Sequence, residues 1–329
     1  MTDTYYWRAV NRALDEELAR DERVVLFGED VALPGGVFGV TRNLAGRYGP
    51  ERVFDAPISE NGFVGAAVGA AMVGLRPVCE LMFMDFSLVA SDQIINHAAK
   101  IRYLTQGAYH APMVIRSQQG VSPGSSAQHT QSLEAIFTAV PGLKVVGAAT
   151  PADAYGLLKT AIRDEDPVLF LEHRMLYMTK GELPDEEFLL PLGRARTVRE
   201  GDDVTIVSWL ASVAWAEQVA DALVERGVGA EVIDLRSLQP VDYETLEASI
   251  AKTGRVAILH EAMRHGGVGA EIAATLHERL PDALKAPVQR FGAEFLPMPV
   301  APTLQEVVQP RVADVAAALG TSMALLASS

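Results

Sequence analysis

A single cysteine, Cys79, leaves this chain unable to close an internal disulfide or to build a thiolate zinc site. Its setting, Pro77-Val78-Cys79-Glu80-Leu81, reads as a small core residue in a strand. There is no Lys/Arg run either. With a formal net charge of −14 and a pI near 5.0, nucleic acid and anionic membrane surfaces are poor partners. The longest apolar stretch, Phe63 to Leu75, is too short and too rich in glycine to span a bilayer. Met1-Thr2-Asp3-Thr4 leads into a helical pattern and not into a secretory signal, so the expected compartment is soluble and reducing, most simply a bacterial cytoplasm. A P-loop, a Gly-x-Ser-x-Gly elbow, a His-Glu-x-x-His pair and a His/Asp/Glu cluster at transition-metal spacing are all missing, which removes the chemistries tied to them.

What is abundant is small and branched apolar side chain. The chain is 49% hydrophobic with a mean hydropathy of +0.14, high enough to suggest area buried between subunits. Its 329 residues suit two domains at about 150 residues each. An amphipathic helix is expected over Tyr5–Arg20, then a fully apolar strand, Val24-Val25-Leu26-Phe27, of the kind found in parallel sheets covered on both faces. Strands at 52–55, 76–82, 112–116, 143–149 and 167–172 alternate with helices near 60–72, 91–106 and 152–163. The long polar loop 117–131 is of a length that is usually functional. From Met175 to Gly201 the periodicity fails, and a second, smaller alternation follows. The expected organisation is α/β throughout: a doubly wound parallel domain over 1–180, a linker over 181–201 and a Rossmann-like domain over 202–329. Gly266-Gly267-Val268-Gly269 opens a helix but lacks the dinucleotide spacing and the ribose-binding acid, so NAD binding there is not expected.

One stretch stands apart. Asp55-Ala56-Pro57-Ile58-Ser59-Glu60 leads from a strand into a helix almost without large side chains, with Ser59 as candidate N-cap and Glu60 in the first turn. Gly62, Gly65 and Gly69 form one helical stripe. Each costs roughly 1 kcal/mol relative to alanine inside a helix, and close approach of another backbone is the compensation expected. Glu29, at the end of the first long strand, is either a solvated loop acid or a group facing a ligand at the carboxyl end of the sheet. Phe83 and Phe86 read as core residues, and His129 as a loop histidine.

Glu60-x4-Gly65-Ala-Ala-Val-Gly69, preceded by Pro57-Ile58-Ser59, resembles the pyrimidine-domain signature of thiamine diphosphate enzymes. Gly28-Glu29-Asp30-Val31, Gly74-Leu75-Arg76-Pro77, Asp92-Gln93-Ile94-Ile95-Asn96, Ala127-Gln128-His129-Thr130-Gln131 and Val232-Ile233-Asp234-Leu235-Arg236 extend the likeness. It runs end to end to β subunits of the decarboxylating component of 2-oxo acid dehydrogenase complexes. The resemblance implies a pyrimidine-type domain followed by a transketolase C-terminal-type domain. It makes Glu60 the carboxylate bonded to N1′ of the cofactor's aminopyrimidine, and Phe86 the aromatic stacked on that ring. His129 becomes a proton donor or positioner near the reacting carbon and the incoming lipoyl group, with Ile58 and Glu29 among the cofactor contacts. It also implies a structural potassium site made of the backbone carbonyls of Met113, Ala161, Ile162, Asp164 and Asp166.

The chain departs from thiamine diphosphate enzymes at large in one respect. The Gly-Asp-Gly…Asn motif that grips the diphosphate through Mg²⁺ is absent; Gly201-Asp202-Asp203 has no downstream asparagine. The resemblance therefore implies half a site, completed by an α subunit that holds Mg²⁺ in an α2β2 heterotetramer, with the stripe Gly62, Gly65 and Gly69 at a subunit interface. The lipoyl-bearing acyltransferase would be the next partner. Pyruvate is the first expectation for substrate, with branched-chain 2-oxo acids and acetoin as alternatives. A non-catalytic α/β assembly protein is the rival of another class.

Overall fold

The computed structural model describes residues 1–327. In chain order the elements are β1 (Thr2–Tyr5), α1 (Tyr6–Arg20), β2 (Val24–Gly28), α2 (Leu44–Tyr48), β3 (Val53–Asp55), α3 (Glu60–Met72) and β4 (Arg76–Leu81). A 3₁₀ turn (Met84–Leu88) and a π-helical turn (Gln93–Ala98) precede α4 (Ile101–Leu104), β5 (Val114–Gln119) and α5 (Glu134–Thr138). Then come β6 (Lys144–Gly147), α6 (Pro151–Arg163), β7 (Val168–His173), β8 (Lys180–Leu183) and β9 (Arg196–Arg199). The remainder is β10 (Val204–Ser208), α7 (Ser212–Val224), β11 (Ala230–Asp234), β12 (Ser237–Gln239), α8 (Tyr243–Thr253), β13 (Val256–Met263), α9 (Val268–Arg279), β14 (Gln289–Ala293), α10 (Pro302–Val308) and α11 (Val312–Ala327).

Two compact units result. One comprises residues 1–120, 136–192 and 238–240; the other comprises 121–135, 193–237 and 241–329. In the first, a seven-stranded sheet runs in the order β12-β6-β7-β5-β4-β2-β3, with the pairs from β6 to β3 parallel. The all-apolar run of β2 and the entirely buried β7 are the chemical consequence: strands covered on both faces have no polar side to show. α1 buries Tyr6, Ala9, Val10, Ala13, Leu14 and Leu18 and packs on α6. The same face buries Glu17, whose charge is met by Arg163 at 2.6 Å. α6 opens on Thr150, whose hydroxyl accepts the Asp153 N–H at 3.1 Å, with Pro151 in the first turn.

The second unit is a five-stranded sheet, β14-β13-β10-β11-β9, parallel except for its antiparallel edge strand β9. Its core joins Val204, Ile206, Ala216, Val219, Leu223, Val232 and Leu259 to Val315 and Leu319 of α11. The glycines before and inside α9 serve packing: a Cβ on Gly267 would stand 2.5 Å from the Met263 carbonyl oxygen, and one on Gly269 3.0 Å from Ile258.

Two local differences from the sequence pattern have physical causes. The aperiodic stretch 175–201 is not structureless. β8 returns to pair antiparallel with β1, and β9 closes one edge of the second sheet. Both are too short and too polar to give an alternation signal. The helix expected over 91–106 is interrupted by the π turn, where the Ala99 N–H reaches Ile94 O at 3.1 Å, five residues back.

The register of β2 aligns the strand ends that matter later. Phe27 pairs with Phe54 across to β3, the rings stacked at 4.9 Å, and Gly28 lies opposite both Asp55 and Glu80. A Cβ on Gly28 would stand 2.3 Å from the Glu80 carbonyl oxygen, so only glycine lets β2 and β4 close here. Gly28→Ala is expected to destabilise the protein by about 3 kcal/mol, read as a lower urea midpoint with an unchanged slope.

Candidate active site

The carboxyl ends of β2, β3 and β4 bring the acids of the first unit together. β2 ends at Gly28 and Glu29 follows it directly. Asp30 then turns the chain sharply with φ of 56°. The loop beyond is tied down by the Asp55 carboxylate, which accepts the N–H groups of Ala32 at 2.7 Å and Leu33 at 3.2 Å. β3 ends at Asp55, and four residues later Glu60 opens α3. Ser59 occupies the N-cap position, but its hydroxyl makes no capping bond; it lies 3.0 Å from where a Gly62 Cβ would stand.

Glu29 and Glu60 are each only 6% exposed, and the Glu60 carboxyl lies near enough to act on Glu29. Burial and a neighbouring acid both disfavour the charged form of Glu29. Burial first, then the neighbouring Glu60, push Glu29 up to about 7. The more distant charges of Asp30 and Glu80 act in the same direction. The Glu29 Oε1 atom is buried without a hydrogen-bond partner.

Behind this pair lies an ionic triad. The Arg116 guanidinium, on β5, grips Glu172 of β7 with two bonds of 2.7 and 3.0 Å and reaches Glu80 of β4 at 2.6 Å. Burial works against its charge, but Glu172 and Glu80 outweigh it and raise Arg116 further. Glu80 is itself raised, because burial exceeds what its single bond to Arg116 returns. Removing one partner from such a triad leaves an uncompensated buried charge, so the three stand or fall together. A single charged position in each of three strands gives no hint that the three meet, which is why sequence reasoning missed the triad.

The other expected site residues fall as follows. Phe86 is half-buried on the 3₁₀ turn after β4, edge-on to Phe83 at 6.1 Å. Ile58 is 84% exposed just before α3. His129 is half-buried in 121–135, a segment that groups with the second unit. The oxygens of Ala161 and Ile162 belong to the last turn of α6, where the helix dipole favours cations. Arg76 donates to Ile162 O at 3.1 Å and Asp164 O at 3.0 Å, while Met113 O accepts from Val168 N at 3.0 Å. Lys144 already neutralises the Asp164 carboxylate. Among the stripe glycines, Gly62 and Gly65 have reasons inside the chain, since a Gly65 Cβ would meet Gln93 Oε1 at 3.1 Å. Gly69 faces open space.

Comparison with known proteins fixes the lineage. The family model "Transketolase, pyrimidine binding domain" matches residues 3–180 and "Transketolase, C-terminal domain" matches 193–315. A 2-oxoisovalerate dehydrogenase subunit beta from Bacillus subtilis is 44% identical over 303 residues, 92% of this chain and 93% of that protein. A mitochondrial pyruvate dehydrogenase E1 component subunit beta-2 from Oryza sativa is 46% identical, covering 93% and 83%. This chain belongs to the 2-oxo acid dehydrogenase β-subunit family. The family also reaches an acetoin:2,6-dichlorophenolindophenol oxidoreductase subunit beta from Cupriavidus necator, 42% identical over 96% of both chains. Among solved structures, a split-gene transketolase described as an inactive β4 tetramer superposes with a TM-score of 0.80 at 26% identity over 97% of this chain and 98% of that one. A Pichia stipitis transketolase shares the fold at TM-score 0.71 and 15% identity, spanning 46% of that longer chain. No described helix is long and apolar enough to cross a membrane.

For a β subunit of this family the acid pair is chemically apt. An aminopyrimidine ring nitrogen needs a buried group able to donate or receive a proton, and the free Oε1 atom of Glu29 beside Glu60 supplies such a surface. The pair also leaves a mark on stability. Between about pH 4.5 and 7 the native state keeps the Glu29 proton that the unfolded chain has lost, so stability falls as pH rises through that window. Glu29→Gln is expected to flatten this fall and to stabilise the purified protein by roughly 2 kcal/mol above pH 7, with little gain at pH 4.5. Urea midpoints at the two pH values measure it.

Proposed function

We propose that this chain is the catalytic β subunit of a thiamine diphosphate-dependent dehydrogenase that decarboxylates a 2-oxo acid, pyruvate in the first instance. The acyl group then passes reductively to the lipoyl group of an acyltransferase component. The observation that carries the proposal is the buried acid pair Glu29 and Glu60, with Glu29 pushed up to about 7, at the carboxyl end of a sheet within the pyrimidine-binding match. When bound, the cofactor supplies the electron sink for decarboxylation. The chain's own residues do the rest. Glu60 would hold N1′ by a hydrogen bond. Glu29, protonated up to about pH 7, would keep a proton available beside it. Phe86 and Ile58 offer apolar contact to the pyrimidine, and His129 donates or positions a proton at the reacting carbon.

The diphosphate and Mg²⁺ are assigned to an α subunit, because the sequence lacks the motif that grips them. An α2β2 heterotetramer follows, with the Gly62, Gly65 and Gly69 face of α3 toward a neighbouring subunit. The carbonyls of Met113, Ala161, Ile162, Asp164 and Asp166 are proposed as a structural K⁺ site, and the cytoplasm as the compartment.

Co-expression with the α-type chain, thiamine diphosphate and Mg²⁺ should give decarboxylation that neither chain performs alone. Turnover of pyruvate, branched-chain 2-oxo acids and acetoin then ranks the substrates. Glu60→Gln is expected to lower kcat by about 10²–10⁴-fold while leaving heterotetramer assembly intact. Wild-type turnover in that variant would defeat the role given to Glu60, and no decarboxylation from the assembled pair would defeat the proposal in favour of a non-catalytic assembly protein.

A further inference from the structure

Residues 121–135 lie between β5 and α5 in the chain, yet they group with the second unit. A small set of side chains holds them there. Glu261, 9% exposed on β13, accepts the Val121 N–H at 3.1 Å through one carboxylate oxygen and the Ser132 hydroxyl at 3.3 Å through the other. One carboxylate thus closes both ends of the segment. Gln309 Nε2 donates to the same Glu261 oxygen as Val121, at 3.0 Å.

A second tie lies beside the first. The Trp209 indole N–H donates to buried Glu134 at 3.0 Å, and its ring lies flat on His260 at 4.8 Å and 14°. His260 precedes Glu261 on the strand, so two consecutive residues of β13 serve the segment, one through Trp209 and one directly. Within it, Thr130 Oγ1 donates to Ser126 O at 2.6 Å, and the hydroxyls of Ser122 and Ser125 bond at 2.7 Å. Gln305 Nε2 reaches Ser122 O at 3.5 Å. A charged acceptor bonded to several donors is worth more than neutral bonds, and losing it would strand the buried Val121 N–H.

We propose that Glu261 is a positioning residue for the reaction: by clamping Val121 and Ser132 it holds the segment that carries His129. This rests on the reading of His129 as the proton donor or positioner at the reacting carbon. Turnover then depends on a carboxylate that touches neither substrate nor cofactor.

The test uses the assembled α/β enzyme carrying Glu261→Ala, Glu261→Gln, His129→Ala or Glu261→Ala with His129→Ala. Amide exchange over residues 121–135 is followed together with kcat and KM for acylation of a lipoyl domain. Glu261→Ala should raise exchange in that segment and lower kcat about tenfold, with KM for the 2-oxo acid little changed. Glu261→Gln, which still accepts the Val121 N–H, should recover most of the loss. The double variant should be no slower than His129→Ala, because a segment without its histidine has nothing left to position. Unchanged exchange, unchanged kcat, or additive losses in the double variant would overturn the proposal. A silent His129→Ala beside an impaired Glu261→Ala would overturn the histidine reading alone and leave the clamp standing. Should Glu261→Ala fail to assemble, Trp209→Phe keeps a ring on His260 but loses the bond to Glu134, and carries the same expectations.

Discussion

A buried carboxyl group, Glu29, that keeps its proton beside Glu60 is the constraint around which the first domain is arranged. Such a pair survives only where water is excluded and the backbone holds both acids in place. Three features meet that demand. Gly28 lets β2 and β4 close to a distance that no side chain would allow. The stacked Phe27–Phe54 pair sets the register that ends β2 beside β3. The first turn of α3 presents its N–H groups and dipole where Glu60 stands. Each is ordinary by itself, and together they create a buried acid that keeps its proton to about pH 7.

The surrounding charges limit how far this can go. Arg116 with Glu172 and Glu80 forms a compensated triad one strand away, so the sheet interior carries charge without a free cation beside the acid pair. Glu80 nevertheless adds to the repulsion that raises Glu29. The second domain has its own buried polar device in Glu261, and there the cost of burial is met by three donors from two separate segments. In both domains the polar groups worth explaining sit at the carboxyl ends of parallel strands, where backbone ends and loops converge.

Much of this was legible in the residues. The apolar run of β2 and the amphipathic face of α1 follow from local chemistry, and the structure has strand and helix where they fall. Glu60 could be singled out because it is the one charged side chain opening a helix otherwise almost without large side chains, whose glycines imply close approach of something else. Its partner Glu29 could only be noted as an acid at a strand end, since nothing in the chain says that positions 29 and 60 meet. Strands β1, β8 and β12 escaped for a related reason: short pairings between distant segments leave no periodicity. The grouping of residues 121–135 with the second unit is written in Glu261 and Trp209, more than seventy residues downstream. Nothing in the sequence showed that a Cβ at Gly62 would also press on Ser59, or one at Gly65 on Gln93.

The central claim is that a carboxyl proton is held at Glu29 by burial and by Glu60. Carbon-13 NMR of glutamate-labelled protein, titrated from pH 4 to 9 in the wild type and in Glu60→Gln, measures it directly. The account predicts one carboxyl that titrates near 7 in the wild type. In Glu60→Gln it should move down yet stay above the ordinary range, because burial is the larger cause and remains. A wild-type protein in which every glutamate titrates in the ordinary range, or a near-neutral group that ignores the loss of Glu60, would contradict it.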